Sequence, residues 1–221
     1  MGQKAASIVI DELMKNSQLL VCAATGNSPL SLYQQLGKEA KKETKLFDQI
    51  RVLPLDEWVG LPSTVGTCDA YLRKHFLEPL SISEERYFAF NPLANNLNEE
   101  CLRIQTTLKK QGPIDICIVG LGKNGHLGFN EPSNELQAHC HIANLTPQSQ
   151  QHTMISNSNK TPTKGITLGM QDILTSKRIL LIVSGNGKKE AKEQLFSGVI
   201  SSQWPASLLW KHNNVDCLVV Y

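Results

Sequence analysis

Short runs of apolar residues alternate with helix-like patterns along the whole chain. The apolar runs are rich in Val, Ile and Leu and are continuous, which is typical of strands covered on both faces. Strand and helix in repeated alternation predict an α/β fold: a Rossmann-like, doubly wound, mainly parallel sheet with helices on both faces. The predicted strands cover residues 19–24, 50–55, 114–120, 178–184 and 215–220, and the predicted helices cover about residues 5–15, 29–42, 67–80, 97–111, 168–174 and 188–196.

No internal repeat, low-complexity tract or linker rich in Pro and Gly divides the 221 residues. We therefore expect one domain over residues 1–221. One stretch, residues 133–164, is polar and poorly periodic. A stretch of this kind forms either a lid over a site or an ordinary surface excursion, and the sequence leaves both readings open.

Charge and composition exclude several classes of function. The formal net charge is only +2 and the basic residues are scattered, which disfavours a nucleic-acid partner. A hydrophobic content of 41% argues against disorder, and no apolar run approaches the roughly 18 residues of a membrane span. The six cysteines include no Cys-x-x-Cys pair and are expected to be buried, reduced thiols. With no pattern of a secretory signal, the expected location is cytoplasmic.

The first candidate site follows the first predicted strand, in the stretch AATGNSPL. Gly26 permits a tight turn, Ser28 can cap a helix, and the Pro after it suits a first helical turn. A helix N-terminus presents free N–H groups and the positive end of the helix dipole, so Thr25, Gly26, Asn27 and Ser28 form a candidate phosphate cradle. Taken alone, the stretch fits an ordinary strand-to-helix turn equally well.

The second candidate site is the pair of adjacent carboxylates Asp56 and Glu57, at the end of an apolar strand. Neighbouring side chains of an extended segment point in opposite directions, so we expect one carboxylate to face a ligand and the other to anchor structure. A carboxylate partly withdrawn from water can act as a general base near neutral pH. The alternative is a turn-forming pair without a catalytic role.

The third candidate site is the glycine-rich stretch GLGKNGHLGFNEP at residues 120–132. Its glycines let the backbone approach a ligand, and His126 and Glu131 arrive in the same loop, which favours chemistry over a structural role. The Gly-x-Gly-x-x-Gly spacing resembles a dinucleotide fingerprint, but no acidic residue ends a strand about 20 residues further on, which disfavours that reading. A weaker fourth element is Lys188, at another strand end that opens a helix, within reach of a phosphate.

These segments, in this order, resemble the glucosamine-6-phosphate deaminase and 6-phosphogluconolactonase superfamily over almost the whole chain. The stretches DEWVGLP at residues 56–62 and GHLGFNEP at residues 125–132 together are similar to its amino-sugar branch rather than to the lactonases. Within that branch, the likeness to galactosamine-6-phosphate isomerases, also called deaminases, is carried further by GTC at 66–68, HCHI at 139–142, QQHTM at 150–154, GITLG at 165–169 and PASLLW at 205–210.

The resemblance implies conversion of galactosamine 6-phosphate and water into tagatose 6-phosphate and ammonia, with no cofactor and no metal ion. It implies Asp56 as the base that moves a proton between C2 and C1. It implies His126, oriented by Asn124 and Glu131, as the group that opens the pyranose ring. The implied phosphate ligands are Thr25, Gly26, Asn27, Ser28 and Lys188.

Two departures from the glucosamine-enzyme pattern bear on these roles. Asn124 stands where those enzymes carry an Asp partner of the His, so Glu131 becomes the expected carboxylate partner. The phosphate-binding Arg that those enzymes carry in a lid has no evident equivalent, and His152 or Lys164 is the candidate to replace it. Loss of that Arg weakens the expectation of an allosteric hexamer, so we expect a monomer or a small homo-oligomer.

Three alternatives stay open from the sequence. The first is a glucosamine-6-phosphate deaminase that gives fructose 6-phosphate. The second is a 6-phosphogluconolactonase that uses the same His to activate water. The third is a phosphosugar sensor without turnover, which the low net charge disfavours because it argues against a DNA partner. In each reading the expected partner is a small phosphosugar.

Overall fold

The computed structural model describes residues 1–61, 66–155 and 160–220. In chain order the strands are β1 Leu20–Ala23, β2 Arg51–Pro54, β3 Asp56–Trp58, β4 Ile116–Gly120, β5 His141–Asn144, β6 Lys164–Thr167, β7 Arg178–Val183 and β8 Val215–Val219. Five of them form a sheet in the order β2-β1-β4-β7-β8, in which every pair of neighbours is parallel. The other three form an antiparallel sheet in the order β3-β6-β5.

Helices connect these strands. The α-helices are α1 Gly2–Lys15, α2 Asn27–Ala40, α3 Cys68–Leu72, α4 Leu97–Gln111, α5 Pro147–Gln150, α6 Met170–Leu174 and α7 Lys189–Leu195. A π-helical turn, Arg73–Leu77, continues α3. The 3₁₀ turns are Thr44–Phe47, Glu84–Arg86, Thr153–Ile155 and Pro205–Lys211.

Alternate residues of the central strands enter two different hydrophobic clusters. In β1, Val21 and Ala23 pack in a cluster with side chains of α1 and α2. Leu20 and Cys22 pack in the other cluster, with side chains of α4 and α6. Burial on both faces explains why each strand is a continuous apolar run in the sequence. The predicted α/β fold, with a mainly parallel sheet between helices, is confirmed.

Two differences between predicted and observed helices bear on the site. The helix predicted from residue 29 begins at Asn27, so Ser28 lies inside the first turn and the N-cap is Gly26. The helix predicted over residues 67–80 is divided, because α3 ends after one turn and a wider π-helical turn follows it. The start of α3 is fixed by Thr67, whose Oγ1 accepts a hydrogen bond of 3.1 Å from the N–H of Ala70.

The antiparallel sheet is not predicted by the hydrophobic pattern. Its strands have only three or four residues each, and no apolar run marks them. Both β5 and α5 lie within residues 133–164, so this stretch is partly regular structure and not a plain surface excursion. Residues 156–159 of that stretch and Pro62 of the second motif lie outside the described residues.

Helix length and the burial of the cysteines are two further features of the structure. Across residues 1–61, 66–155 and 160–220, no helix is long and apolar enough to cross a membrane. All six cysteines are free thiols, and five of them are buried, as the sequence predicts. The sixth, Cys217, is partly exposed in β8 at the edge of the parallel sheet.

Candidate active site

A cavity of about 360 Å³ lies beyond the carboxyl ends of β1, β4 and β7. The strand order reverses between β1 and β4, and ligands of open α/β sheets bind at such a reversal. The cavity brings together eight residues singled out from the sequence: Thr25, Gly26, Asn27, Ser28, Asp56, His126, His152 and Lys188. Asn124, Glu131, Glu57 and Lys164, also singled out, are not part of its lining.

The turn between β1 and α2 forms one wall of the cavity. Gly26 has a φ of +92°, which an L side chain rarely adopts, and it places the N-terminus of α2 against the cavity. Tyr71 fixes this turn, because its hydroxyl donates to the carbonyl of Gly26 at 2.6 Å. Tyr33 fixes it from below by donating to the carbonyl of Ala24 at 2.6 Å. The free N–H groups of the helix are thus held in place for an anion.

Two lysines lie beside this helix N-terminus. Lys188 donates from Nζ to Oγ of Ser28 at 3.2 Å, and Ser184 donates to the same oxygen at 3.3 Å. Burial lowers the pKa of Lys188, and the charge of Lys123 lowers it further. A nearby anion stabilises the charged form of an ammonium group in such surroundings. The wall therefore has the charge and the donors of a phosphate site.

Asp56 is the carboxylate that faces the cavity, and it is only 8% exposed. Its Oδ1 accepts from the thiol of Cys68 at 3.5 Å. Burial raises the pKa of Asp56 to about 6, although the Cys68 hydrogen bond and the charge of His126 oppose the rise. A carboxylate with this pKa is ionised near neutral pH and is more basic than an exposed one, as a general base should be.

Glu57 points to the other side of β3 and holds the next segment in place. Its Oε1 accepts from the N–H groups of Trp58 at 2.7 Å and Cys68 at 3.0 Å. Its Oε2 accepts from the N–H of Asp69 at 2.7 Å. These bonds tie β3 to the start of α3, so Glu57 anchors structure and does not face the cavity.

His126 lies in the loop after β4, with one ring nitrogen held by protein. Its Nδ1 is 2.7 Å from Oδ1 of Asn124, and the amide nitrogen of Asn124 donates to Glu131 at 2.8 Å. Since that donation orients the amide, Oδ1 must accept, and the neutral ring carries its proton on Nδ1. Nε2 is then the basic nitrogen. Gly122 makes room for the ring, because a Cβ there would overlap the imidazole of His126.

Glu131 stands behind the imidazole. Its Oε2 is 3.4 Å from Nδ1 of His126, and its Oε1 accepts from the hydroxyls of Thr146, at 3.2 Å, and Ser149. Burial acts to raise the pKa of Glu131. The hydrogen bond and the charge of His126, together with the hydrogen bonds of Ser149 and Asn124, outweigh burial and lower this pKa to about 2. Glu131 is therefore an ionised carboxylate next to the ring.

His152 covers the helix N-terminus from the segment that follows α5. A Cβ at Gly26 would lie 3.9 Å from its Cε1, and its ring centroid is 5.9 Å from that of Trp58. Its Nδ1 accepts from the N–H of Met154 at 3.3 Å, so the neutral ring carries its proton on Nε2. Burial lowers the pKa of His152, and the charges of His126 and the two lysines act in the same direction. Nε2 is thus a donor beside the cradle.

The suggestion that Lys164 replaces a lid Arg is not supported by its position. Lys164 begins β6, where its backbone pairs with Asn144 and its carbonyl accepts from Val59. It is exposed and is not among the residues that line the cavity. Of the two replacements considered, only His152 reaches the cavity.

Sequence reasoning missed several residues of the site. Lys123 lies inside the glycine-rich stretch and lines the cavity, but nothing in its spacing separates it from a surface lysine. Cys68 stands in the stretch GTC at residues 66–68 and at the start of the helix predicted over residues 67–80, but the pattern assigns it no role. Ser149 reaches the site from α5, a short helix that no apolar periodicity marks. Within the described ranges, no group of three or more His, Cys, Asp or Glu side chains could hold a metal ion.

Comparison with known proteins identifies the family. The model of the glucosamine-6-phosphate isomerases/6-phosphogluconolactonase family matches residues 1–218. The chain belongs to this family. A family member from Escherichia coli strain K12, named "Putative deaminase AgaI", is 38% identical over 221 residues, which cover 99% of this chain and 87% of the relative. Glucosamine-6-phosphate deaminase 1 of Bacillus subtilis strain 168 is 35% identical over 222 residues, covering 99% and 92%.

Solved structures of the family agree with the fold. A monomeric glucosamine-6-phosphate deaminase, described as a missing link of the NagB superfamily, superposes with a TM-score of 0.91 at 35% identity, covering 99% of this chain and 92% of that one. A 6-phosphogluconolactonase of Thermotoga maritima superposes with a TM-score of 0.72 at 16% identity, covering 96% and 93%, and shares the fold. The family expected from the sequence is confirmed, and the chain is an enzyme of the glucosamine-6-phosphate deaminase family.

Proposed function

We propose that the enzyme converts galactosamine 6-phosphate and water into tagatose 6-phosphate and ammonia. One observation carries the proposal, namely that three groups share a single cavity. They are a positively charged site for an anion, a buried carboxylate with a pKa of about 6, and an imidazole whose Nε2 is basic. Each of these groups matches one requirement of the reaction.

The anion site anchors the 6-phosphate. The N–H groups at the start of α2, Oγ of Ser28 and the ammonium of Lys188 donate to it, with Lys123 and Nε2–H of His152 beside them. Holding the phosphate fixes the position of the reacting carbons, so that binding free energy contributes to orientation. Thr25 and Asn27 complete the wall.

His126 opens the sugar ring. Its Nε2 accepts the proton of the anomeric hydroxyl and returns a proton to the ring oxygen, which leaves an aldehyde at C1 and a hydroxyl at C5. The hydrogen bond that Nδ1–H donates to Oδ1 of Asn124 keeps Nδ1 protonated, and the ionised Glu131 stabilises the imidazolium that forms between the two proton transfers.

Asp56 moves a proton from C2 to C1. Asp56 removes the C2 proton while a proton of the substrate's own ammonium group passes to O1, which gives an enolamine. Delivery of the proton from Asp56 to C1 then leaves a protonated imine at C2. Water then adds to C2 and ammonia leaves, which gives the ketose 6-phosphate. One carboxylate on one face of the open chain suffices for both proton transfers, and Glu57 takes no part because it is bound behind β3.

The choice of the galacto epimer rests on the likeness of the sequence stretches to galactosamine-6-phosphate isomerases. Glucosamine 6-phosphate is the second candidate substrate, because relatives at 32–35% identity are named glucosamine-6-phosphate deaminases. The monomeric state reported for one of them supports the same state here.

The proposal is tested by measuring ammonia release from both epimers, with hydrolysis of 6-phosphogluconolactone in parallel. We expect kcat/KM for galactosamine 6-phosphate to exceed that for glucosamine 6-phosphate by at least about tenfold, which corresponds to about 1.4 kcal/mol. The reverse preference would replace the substrate but keep the chemistry. Lactone hydrolysis without ammonia from either sugar would overturn both.

A further inference from the structure

Cys68 touches the cavity, but no step of the proposed reaction uses it. The residue opens α3, is 1% exposed and lines the cavity floor between the cradle and Asp56. Its Sγ lies 3.5 Å from Oδ1 of Asp56 and 3.4 Å from Oγ1 of Thr25. One thiol thus bridges the phosphate cradle and the carboxylate base.

The direction of both hydrogen bonds follows from the chemistry of the groups. An ionised carboxylate only accepts, so the thiol must donate to Asp56. A thiol has a single hydrogen, so the hydroxyl of Thr25 must donate to the sulfur. The hydrogen bonds therefore run in one direction, from Thr25 through Cys68 to Asp56. The second oxygen of Asp56, Oδ2, lies beside Gly128, where a Cβ would be 3.4 Å away.

We propose that Cys68 is a positioning residue that links occupancy of the phosphate cradle to the strength of the Asp56 base. The inference rests on the proposed function, because it assumes that Asp56 removes a proton from a phosphorylated substrate. It adds that binding of the phosphate changes the basicity of Asp56 through two side-chain hydrogen bonds, from Thr25 to Cys68 and from Cys68 to Asp56.

The link depends on the single hydrogen of the Thr25 hydroxyl. That hydrogen can point to the sulfur of Cys68 or to a phosphate oxygen, but not to both. A phosphate dianion is the better acceptor, so the hydroxyl turns to it. The sulfur then loses its donor and the S–H group becomes a weaker donor to Asp56. Asp56 is consequently a stronger base when the substrate is bound than when the cavity is free.

Cys68 itself is suited to stay protonated. Burial raises the pKa of its thiol well above the usual value, and the charges of Glu57 and Asp56 raise it further. A thiol in this environment is a poor nucleophile, which separates this role from that of a reactive cysteine. In the part of the chain that the structure describes, the titratable groups that interact with Asp56 include Cys22, Tyr33, Glu57, Cys68 and His126.

The kinetic test compares Cys68→Ala with Cys68→Ser. Loss of the donor in Cys68→Ala should move the acid limb of kcat/KM against pH upward by about half a pH unit or more, because the ionised carboxylate loses a hydrogen bond. Cys68→Ser keeps a donor and should restore the wild-type midpoint. Cys217→Ala, in β8, is the matched control and should leave the profile unchanged. A wild-type midpoint in Cys68→Ala would overturn the proposal.

A second test needs no turnover. The infrared S–H stretch of Cys68 is identified by subtracting the spectrum of Cys68→Ser. We expect this band to move to higher frequency in Asp56→Asn and when saturating inorganic phosphate is added, since both weaken the hydrogen bond. The shift of the band on phosphate addition should persist in Thr25→Ser, which keeps a hydroxyl, and disappear in Thr25→Val, which has none. Since the charge of the phosphate is the same in both variants, this difference would assign the shift to the hydroxyl.

The two tests separate the inference from the proposed function. A band that responds to phosphate in a protein that releases no ammonia supports the hydrogen-bonded link and contradicts the proposed reaction. If the S–H frequency changes neither with phosphate nor in Asp56→Asn, while the protein releases ammonia, the hydrogen-bonded link is contradicted and the proposed reaction is supported.

Discussion

The Nδ1 atom of His126 is held by Oδ1 of Asn124 at 2.7 Å, and the same amide donates to Glu131. A neutral amide thus orients the imidazole, and Oε2 of the Glu131 carboxylate lies further from Nδ1, at 3.4 Å. This arrangement fixes which nitrogen can act as a base while the ionised Glu131 remains close enough to stabilise a transient positive charge.

The tautomer of His126 is a direct prediction of this contact. Nitrogen-15 NMR of the neutral imidazole should show a protonated Nδ1 and an unprotonated Nε2. Asn124→Leu removes the acceptor and should lower kcat by about 10- to 100-fold, because the ring loses its fixed tautomer. A proton found on Nε2 in the neutral wild-type ring would contradict the proposed role.

His126→Gln should lose ring opening but keep the later steps. An open-chain analogue that lacks both the 4- and the 5-hydroxyl can close neither a furanose nor a pyranose ring, so it does not need the imidazole. We expect the variant to turn over the cyclic substrate at least about 100-fold more slowly and to approach wild-type rates with the analogue. If the analogue is processed as poorly as the cyclic sugar, His126 acts in another step.

The pH dependence of kcat/KM should follow Asp56. Burial raises its pKa to about 6, and only the ionised carboxylate accepts the C2 proton. Activity should therefore be complete above this pKa and be lost as the pH falls through about 6. Steady-state rates between pH 4 and pH 8 test this sign, and a midpoint at the usual value of about 4 for an exposed Asp would show that another group limits the acid limb.

The two cavity lysines should act on substrate binding rather than on chemistry. Lys188→Ala and Lys123→Ala should each raise KM by about tenfold with little change in kcat, because each removes a charged contact to the phosphate. Lys189→Ala is the matched control, since the Lys189 side chain is 89% exposed and makes a weak ion pair, with 3.9 Å between its Nζ and Oε1 of Glu193. A KM equal to that of the control would place the phosphate elsewhere.

Glu57→Gln should affect stability. The amide can keep only some of the three backbone N–H contacts at Trp58, Cys68 and Asp69, so at least one buried donor loses its partner. We expect the free energy of unfolding to fall by about 1–3 kcal/mol in urea denaturation. Glu193→Gln, at an exposed position, should change it by less than about 0.5 kcal/mol. An unchanged stability for Glu57→Gln would mean that these bonds are replaceable.

The sequence predicts the parallel sheet because residues such as Val21 and Cys22 are buried on opposite faces, which leaves a continuous apolar run. It does not predict β5 and β6, because HIAN and KGIT are not continuous apolar runs and become strands only by pairing with each other across about twenty residues of chain. The site follows the same division. Asp56 and His126 stand at strand ends with distinctive neighbours, whereas Cys68 and Lys123 acquire their surroundings only in the folded chain.

The most direct test of the central claim is the yield of ammonia and ketose 6-phosphate from galactosamine 6-phosphate, for the wild type and for Asp56→Asn. We predict that the wild type forms the two products in equal amounts. Asp56→Asn should form neither at more than about one thousandth of that rate while still binding inorganic phosphate. Turnover by Asp56→Asn within about tenfold of the wild type would contradict the account, because the cavity would then perform the reaction without its proposed base.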